Sequence, residues 1–228
     1  DQEELCDEDK NELPLCKQNI SIIEVGAYSH IFGKFINFIG LEKAVVFTDL
    51  DVGHKINGKG HILKTKYVDS DTMLTSNNAL KEYFKNLKEG NDLKVNKLLS
   101  LTDNQKVFTW NAAESQWKQD DNGNMRVCFQ MKENNYQART FEDNFFAINK
   151  EFLQNNKSKI RGLDEVKLKD FLDTTKDVDA YELAENGIES KATFAVEIIY
   201  NSKKDGNKEF CGWNIPQYIK DGLLWIRK

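Results

Sequence analysis

Residues 21–51 read SIIEVGAYSHIFGKFINFIGLEKAVVFTDLD, and this stretch decides the expected fold. Ser21 to Val25 is a short β-branched run that ends at a glycine, which predicts a strand. Apolar residues then recur at helical spacing from Tyr28 to Ile39, and Gly40 lies where a C-cap glycine is expected. Ala44 to Thr48 is a second apolar run, as in a strand that is covered on both faces. Strand, helix and strand form a βαβ unit, so we expect an α/β fold with a central parallel sheet flanked by helices.

Two aspartates, Asp49 and Asp51, follow the second predicted strand directly. In open parallel sheets ligands bind at the carboxyl ends of the strands, so these carboxylates are expected at a binding edge. Two like charges held close together destabilise each other unless a cation lies between them. The pair is therefore a candidate metal site, and a plain acidic loop is the alternative. Similar triplets in polar surroundings are expected to be surface features: Asp7/Asp9, Asp69/Asp71 and Asp177/Asp179.

Charged residues at two later helix starts have two possible roles. Thr140 is a good N-cap, and Glu142 and Asp143 fall in a first turn, where carboxylates favour the helix dipole. The same residues could instead bind a metal ion. Lys191 follows a candidate N-cap serine, so its charge lies at the helix end that disfavours cations. A docked phosphate would explain this lysine, and neutralisation by Glu189 is the alternative.

Other elements follow from hydrophobic periodicity. Met125 to Phe129 is typical of a strand. The apolar residues from Phe141 to Phe152 repeat at helical spacing and predict one amphipathic helix. The segment after Pro216 predicts a terminal helix.

Composition limits the class of function. The 228 residues carry a net charge of −5. A simple basic nucleic-acid-binding module would have a pI above about 9, but an enzyme that reaches phosphates through bound cations can be acidic. No apolar run is long enough for a membrane span, and the N-terminus lacks the basic-then-apolar order of a signal peptide. We therefore expect a cytoplasmic protein whose four cysteines are reduced.

The motifs occur in an order that resembles one family. After residues 20–51 come TSN at 75–77, YQARTFEDNFFAIN at 136–149, SKATFA at 190–195 and WNIPQYIKDGLLWI at 213–226. This series resembles the C-terminal Toprim domain of OLD-family (overcoming lysogenization defect) nucleases over nearly the whole chain. The resemblance implies a Rossmann-like Toprim domain in residues 20–228, with a helical insertion or C-terminal helical elaboration. Residues 1–19 would be an acidic lead-in segment.

The resemblance also implies a function. In that family the Toprim domain is a metal-dependent DNA endonuclease behind an ABC-type ATPase domain, and members often act in defence against phage. Asp49 and Asp51 would be metal ligands, Thr140 and Glu142 would complete a second metal site, and Lys191 would stand near the scissile phosphate. Two Mg²⁺ or Mn²⁺ ions are the expected cofactors. The expected partners are DNA and an ABC-type ATPase domain or subunit, with homo-oligomerisation through the ATPase part and no membrane.

The chain departs from the family pattern at its start. The Toprim signature begins with a Glu-Gly pair on a first strand, and Glu24-Val25-Gly26 is not that motif, because it lies immediately before the predicted Asp-x-Asp strand. No Walker A motif is present either. We therefore expect a fragment, or one piece of a larger assembly, with an incomplete first metal site.

Two alternative functions stay open. The stretch VVFTDLD at 45–51 also resembles the nucleophile motif of haloacid-dehalogenase-like phosphatases, although Val52 and Gly53 follow where that family has glycine and then threonine or valine. The other alternative is a non-catalytic domain that binds DNA or a partner subunit.

Overall fold

The computed structural model describes residues 15–56, 60–206 and 208–227, which fall into two compact units. The first unit runs up to Met131 and also includes the C-terminal segment from Gln217. The second unit is Lys132–Pro216. The predicted acidic lead-in, residues 1–19, lies mostly outside the described residues.

Strands and helices both occur, so the predicted α/β class is confirmed. The strands are β1 (Ala44–Phe47), β2 (Val52–His54), β3 (Leu63–Lys64), β4 (Leu74–Thr75), β5 (Val107–Asn111), β6 (Gln116–Gln119), β7 (Met125–Cys128), β8 (Lys203–Asp205) and β9 (Lys208–Cys211). The α-helices are α1 (Gly33–Ile39), α2 (Asn78–Tyr83), α3 (Val95–Leu99), α4 (Phe141–Ile148), α5 (Lys150–Asn156), α6 (Glu165–Leu172), α7 (Ala180–Asn186), α8 (Lys191–Tyr200) and α9 (Gln217–Arg227). Within the described part of the chain, no helix is long and apolar enough to cross a membrane.

The first unit contains a four-stranded sheet in the order β1-β7-β5-β6. β1 runs parallel to β7, with Ala44 opposite Met125 and Phe47 opposite Cys128. β5 is antiparallel to both β7 and β6. The sheet is therefore mixed: of the three strand pairings in it, β1–β7 has the predicted parallel arrangement and the other two are antiparallel. A second sheet, in the order β3-β2-β4, is antiparallel.

The prediction of a strand at residues 21–25 is wrong. Residues 21–25 form no strand, and the side chain of Ile22 is 95% exposed. A β-branched run becomes a strand only when a neighbour completes its hydrogen bonds and covers one face, and β7 takes the place beside β1 instead. The helix predicted next is present in two pieces, a 3₁₀ helix at Gly26–Phe32 and then α1. It ends as expected at Gly40, which has a left-handed φ of 65°.

Helix α9 packs against β1 and β7, and its close approach depends on a glycine. A Cβ built on Gly222 would lie 2.5 Å from Cε1 of Phe47 and 3.0 Å from Sγ of Cys128. Tyr218, one turn earlier, is buried, and its ring meets the ring of Phe47 edge-on at a centroid distance of 6.4 Å. The terminal helix predicted from sequence thus lies on the strand that leads to the two aspartates.

The second unit is mainly helical and has its own apolar core around Phe145, Phe146 and Phe194. The single helix predicted from Phe141 to Phe152 is two helices, α4 and α5, which meet at Asn149. Asn149 leaves helical geometry because its amide donates to the carbonyls of Phe145 and Asn214 and accepts from the Asn214 N–H at 2.6 Å. These bonds satisfy backbone groups that the break leaves open.

Candidate functional site

Asp49, Leu50 and Asp51 form the turn between β1 and β2, and we call these three residues the acidic turn. The Thr48 N–H donates to the Cys128 carbonyl at 3.0 Å, which extends the β1–β7 pairing up to the turn. Leu50 is fully buried and anchors the turn in the core. Asp51 then has a left-handed φ of 49°, which is uncommon for a residue other than glycine. The aspartates therefore lie directly after a strand, in a turn of defined and strained shape.

The TSN segment at 75–77 holds the backbone of the acidic turn. All three backbone carbonyls of the turn accept hydrogen bonds from it, which leaves the turn little freedom to change shape. These bonds run from Thr75 Oγ1 to the Leu50 carbonyl (2.6 Å), from the Ser76 N–H to the Asp51 carbonyl (3.0 Å) and from Asn77 Nδ2 to the Asp49 carbonyl (2.8 Å).

Asn77 also ties the acidic turn to helix α2. Its Oδ1 accepts from the N–H groups of Ala79 and Leu80 at 2.9 and 3.3 Å, so it is the N-cap of that helix. Its Nδ2 donates to Oγ1 of Thr48 at 2.8 Å as well as to Asp49. One buried amide therefore starts a helix and fixes the turn.

Gln130 holds the acidic turn through a different set of bonds. This fully buried residue lies two positions beyond β7, and its Oε1 accepts from the Leu50 N–H at 2.8 Å. A backbone N–H can only donate, so that bond fixes which end of the amide is oxygen. The NH₂ group then donates to Oδ1 of Asp49 at 2.6 Å and to the Tyr218 hydroxyl at 3.3 Å. Sequence reasoning missed Gln130, and the signal was a lone amide just past a buried apolar strand.

The donor chemistry of the acidic turn fits a hard divalent cation. Mg²⁺ is commonly held by one or two carboxylates, while waters and substrate phosphates complete its coordination. Within residues 15–56, 60–206 and 208–227, no group of three or more His, Cys, Asp or Glu residues could hold a metal ion. Asp49 and Asp51 could therefore supply two carboxylate ligands to such an ion.

The other Asp-x-Asp triplets differ from the acidic turn. Asp69 and Asp71 are both exposed, as predicted for a surface feature. Asp177 is exposed, while Asp179 is the N-cap of α7 and accepts from the Glu182 N–H at 3.0 Å. The triplet Asp7/Asp9 lies outside the described residues.

In the second unit, Thr140 and Asp143 form the capping box of helix α4. Oδ1 of Asp143 accepts from the Thr140 N–H at 2.8 Å and from its hydroxyl at 3.0 Å. Oδ2 accepts from the Arg139 N–H and the Tyr136 hydroxyl. Burial raises the pKa of Asp143 despite these four bonds, because removal from water disfavours the charged form. Thr140 is therefore the N-cap, as predicted, and Asp143 is the first-turn acid that completes the cap.

Glu142 instead pairs with Lys191 at the start of helix α8. Its Oε1 lies 2.5 Å from the lysine Nζ, and its side chain is 15% exposed against 74% for the lysine. Burial opposes ionisation of Glu142, but hydrogen bonds from Lys191, its own backbone and Thr140, with the lysine charge, lower its pKa overall. Ser190 caps α8 by accepting from the Thr193 N–H at 3.2 Å.

The five predicted site residues thus fall into two groups. Thr140 and Glu142 come together in the second unit with Lys191, which lies far from both of them along the chain. Asp49 and Asp51 lie in the acidic turn of the first unit.

No protein-family model, curated protein or solved structure matches this chain.

Proposed function

We propose that this chain is a divalent-metal-dependent DNA endonuclease of the Toprim type, the nuclease part of an OLD-family ATPase–nuclease in phage defence. The observation that carries the proposal is the acidic turn. Two carboxylates follow a strand within a turn whose three carbonyls are all hydrogen-bonded. The ordered motif series of the sequence supports the family assignment.

The rigidity of the acidic turn favours a metal site over a plain acidic loop. In a loop that only needs to be soluble, two aspartates are free to move apart and lower their repulsion. Here the buried Leu50, the left-handed φ of Asp51 and the hydrogen bonds from Thr75, Ser76 and Asn77 hold the backbone that carries both aspartates in one shape. A non-glycine residue in that conformation costs on the order of 1 kcal/mol or more, and such strain is concentrated at functional sites.

Each group of residues then has a role in phosphodiester hydrolysis. Asp49 and Asp51 would hold one Mg²⁺ or Mn²⁺ ion, and Glu142 with Thr140 would hold another. When bound, these ions supply Lewis acidity at the phosphate. The Lys191 side chain is mostly exposed, and its ammonium would donate to phosphate oxygens as negative charge builds on them. DNA is the proposed substrate, and an ABC-type ATPase domain or subunit is the proposed partner.

A plasmid-nicking assay tests the proposal. With Mn²⁺ and supercoiled plasmid, the parent chain should nick DNA, whereas Asp49→Ala and an EDTA control should not. Asp69→Ala is the matched control, because it removes an exposed aspartate from a similar triplet and should leave nicking unchanged.

Three outcomes would contradict the proposal. Nicking by Asp49→Ala at the parent rate would show that the acidic turn takes no part in the reaction. An aspartyl-phosphate trapped on Asp49 would favour the phosphatase alternative. Metal-independent DNA binding without nicking, unchanged by Asp49→Ala, would favour a non-catalytic domain.

A further inference from the structure

We propose that Gln130 is a positioning residue that sets how tightly the acidic turn binds a divalent cation. The inference rests on the proposed function, because it assigns Gln130 a role toward Asp49 as a metal ligand. Gln130 itself need not touch the ion.

The geometry of one amide carries this inference. Gln130 contacts the carboxylate of Asp49 at 2.6 Å and the backbone N–H of Leu50 at 2.8 Å. It therefore fixes a side-chain torsion and the main chain of adjacent residues at once. The Leu50 bond sets the orientation of the amide, so an N–H rather than a carbonyl oxygen faces the carboxylate. A carboxylate held in this way has its orientation set before any cation arrives.

Burial strengthens the hydrogen bonds of Gln130 to Asp49 and Leu50. Gln130 has no exposed surface, so water does not compete for its hydrogen bonds. The same NH₂ group donates to Tyr218 of helix α9, whose ring packs on Phe47 at the end of β1. At 3.3 Å this bond is longer than the bonds to Asp49 (2.6 Å) and Leu50 (2.8 Å), so the latter two hold the amide in place.

The purely structural alternative is that Gln130 only satisfies the Leu50 N–H. In that case the hydrogen bonds of Gln130 would serve folding alone, and a folded variant that lacks them would bind cations as the parent does. Groups that orient a metal ligand behave differently, because their loss typically lowers metal affinity or activity by about 10–100-fold.

Mn²⁺ binding followed by electron paramagnetic resonance separates these two cases without any assay of activity. Gln130→Met keeps the length of the side chain but loses all its hydrogen bonds, and it should weaken Mn²⁺ binding by about 10–100-fold. Tyr218→Phe is the matched control. It removes only the hydroxyl that accepts a hydrogen bond from the Gln130 NH₂ group, and it should bind Mn²⁺ much like the parent. Circular dichroism would establish that each variant is folded at the temperature of the titration.

A second measurement does not depend on the folding of Gln130→Met. In the ¹⁵N-labelled chain without metal, Asp49→Asn should shift the side-chain amide resonances of Gln130. The resonances of Gln137, a buried glutamine in the second unit that donates to the Ala138 carbonyl, should stay unchanged.

Failure of the inference differs from failure of the proposed function. The inference would be overturned, and the metal site left intact, by either of two results. One is a folded Gln130→Met variant with parental Mn²⁺ affinity. The other is that Asp49→Asn leaves the side-chain resonances of Gln130 unshifted. An equal loss of affinity in Tyr218→Phe would assign the effect to packing near α9 and would also overturn it. Mn²⁺ binding that Asp49→Ala leaves unchanged would overturn both.

Discussion

At the start of helix α4, two adjacent acids have different roles. Asp143 faces inward and completes the capping box, while Glu142 meets Lys191. Sequence alone predicted the cap and the acidic first turn, because N-cap preferences are local. It did not show which acid faces inward, because that depends on packing against residues distant in sequence.

Substitution of Lys191 tests its proposed role at the phosphate. Lys191→Ala should lower the rate of nicking by an amount equivalent to about 3–4 kcal/mol, as for loss of a donor to developing negative charge. Mn²⁺ binding should survive, because the lysine is not a ligand. Lys169→Ala removes an exposed lysine paired with Glu165 and serves as the control. A parental rate for Lys191→Ala would refute the role.

Substitution of Glu142 tests the ion pair through the pH dependence of stability. A lowered folded-state pKa means that Glu142 stabilises the fold above its unfolded-state pKa and loses that contribution as pH falls through the folded-state pKa. Glu142→Gln should therefore be less stable than the parent at neutral pH, by at most about 1 kcal/mol because Lys191 is largely exposed. The difference should shrink below about pH 4.

Urea unfolding across this pH range would measure the effect. Glu165→Gln, which breaks the exposed pair with Lys169, should change stability less. A Glu142→Gln penalty that persists in acid would show that packing, rather than charge, is what the glutamate contributes.

At the scale of elements, the acidic turn could be predicted from the sequence, whereas the residues that hold it in place could not. An apolar run followed by Asp-x-Asp identifies β1 and the turn by local pattern. The strand beside β1 is β7, which is distant in sequence, and the run at residues 21–25 had the same β-branched signal without a neighbour. The hydrogen-bond partners of Gln130 and of the TSN segment depend on long-range contacts, so the sequence did not show what these residues hold in place.

The contact of α9 with β1 gives a prediction about Gly222. Alanine normally favours a helix interior over glycine by about 1 kcal/mol, but its Cβ would lie 2.5 Å from the Phe47 ring. Overpacking typically costs about 1–3 kcal/mol, so Gly222→Ala should lower the free energy of unfolding. Phe47→Leu should relieve the clash, and a double-mutant cycle by chemical denaturation would show favourable coupling. Independent, additive effects would contradict the contact.

At the scale of the whole molecule, the succession of strand and helix patterns predicted the α/β class. The mixed sheet and the division into two units were not predicted, since no glycine-, proline- or serine-rich linker marks a boundary near Met131 or Pro216. Domain boundaries of this kind depend on which segments pack together, and the return of the C-terminal helix to the first unit has no local signal.

The two groups of site residues also give a prediction for the chain as a whole. If both serve one reaction, Asp49→Ala and Glu142→Ala should each slow nicking strongly, and the double variant should be no slower than the slower single one. Single-turnover nicking rates would measure this. If the rate loss of the double variant were the product of the two single losses, the two groups would contribute independently, and this would contradict a shared reaction.

The parallel pairing of β1 with β7 has a consequence for folding kinetics. Ala44 lies opposite Met125, so about eighty residues of chain must be enclosed before the acidic turn has its support. Contacts of such long sequence separation form slowly, because the loss of chain entropy precedes the gain from pairing. We expect cation binding at the turn to appear late in refolding, after local helices have formed. A newly made chain would then carry no ordered acidic site until its fold is nearly complete.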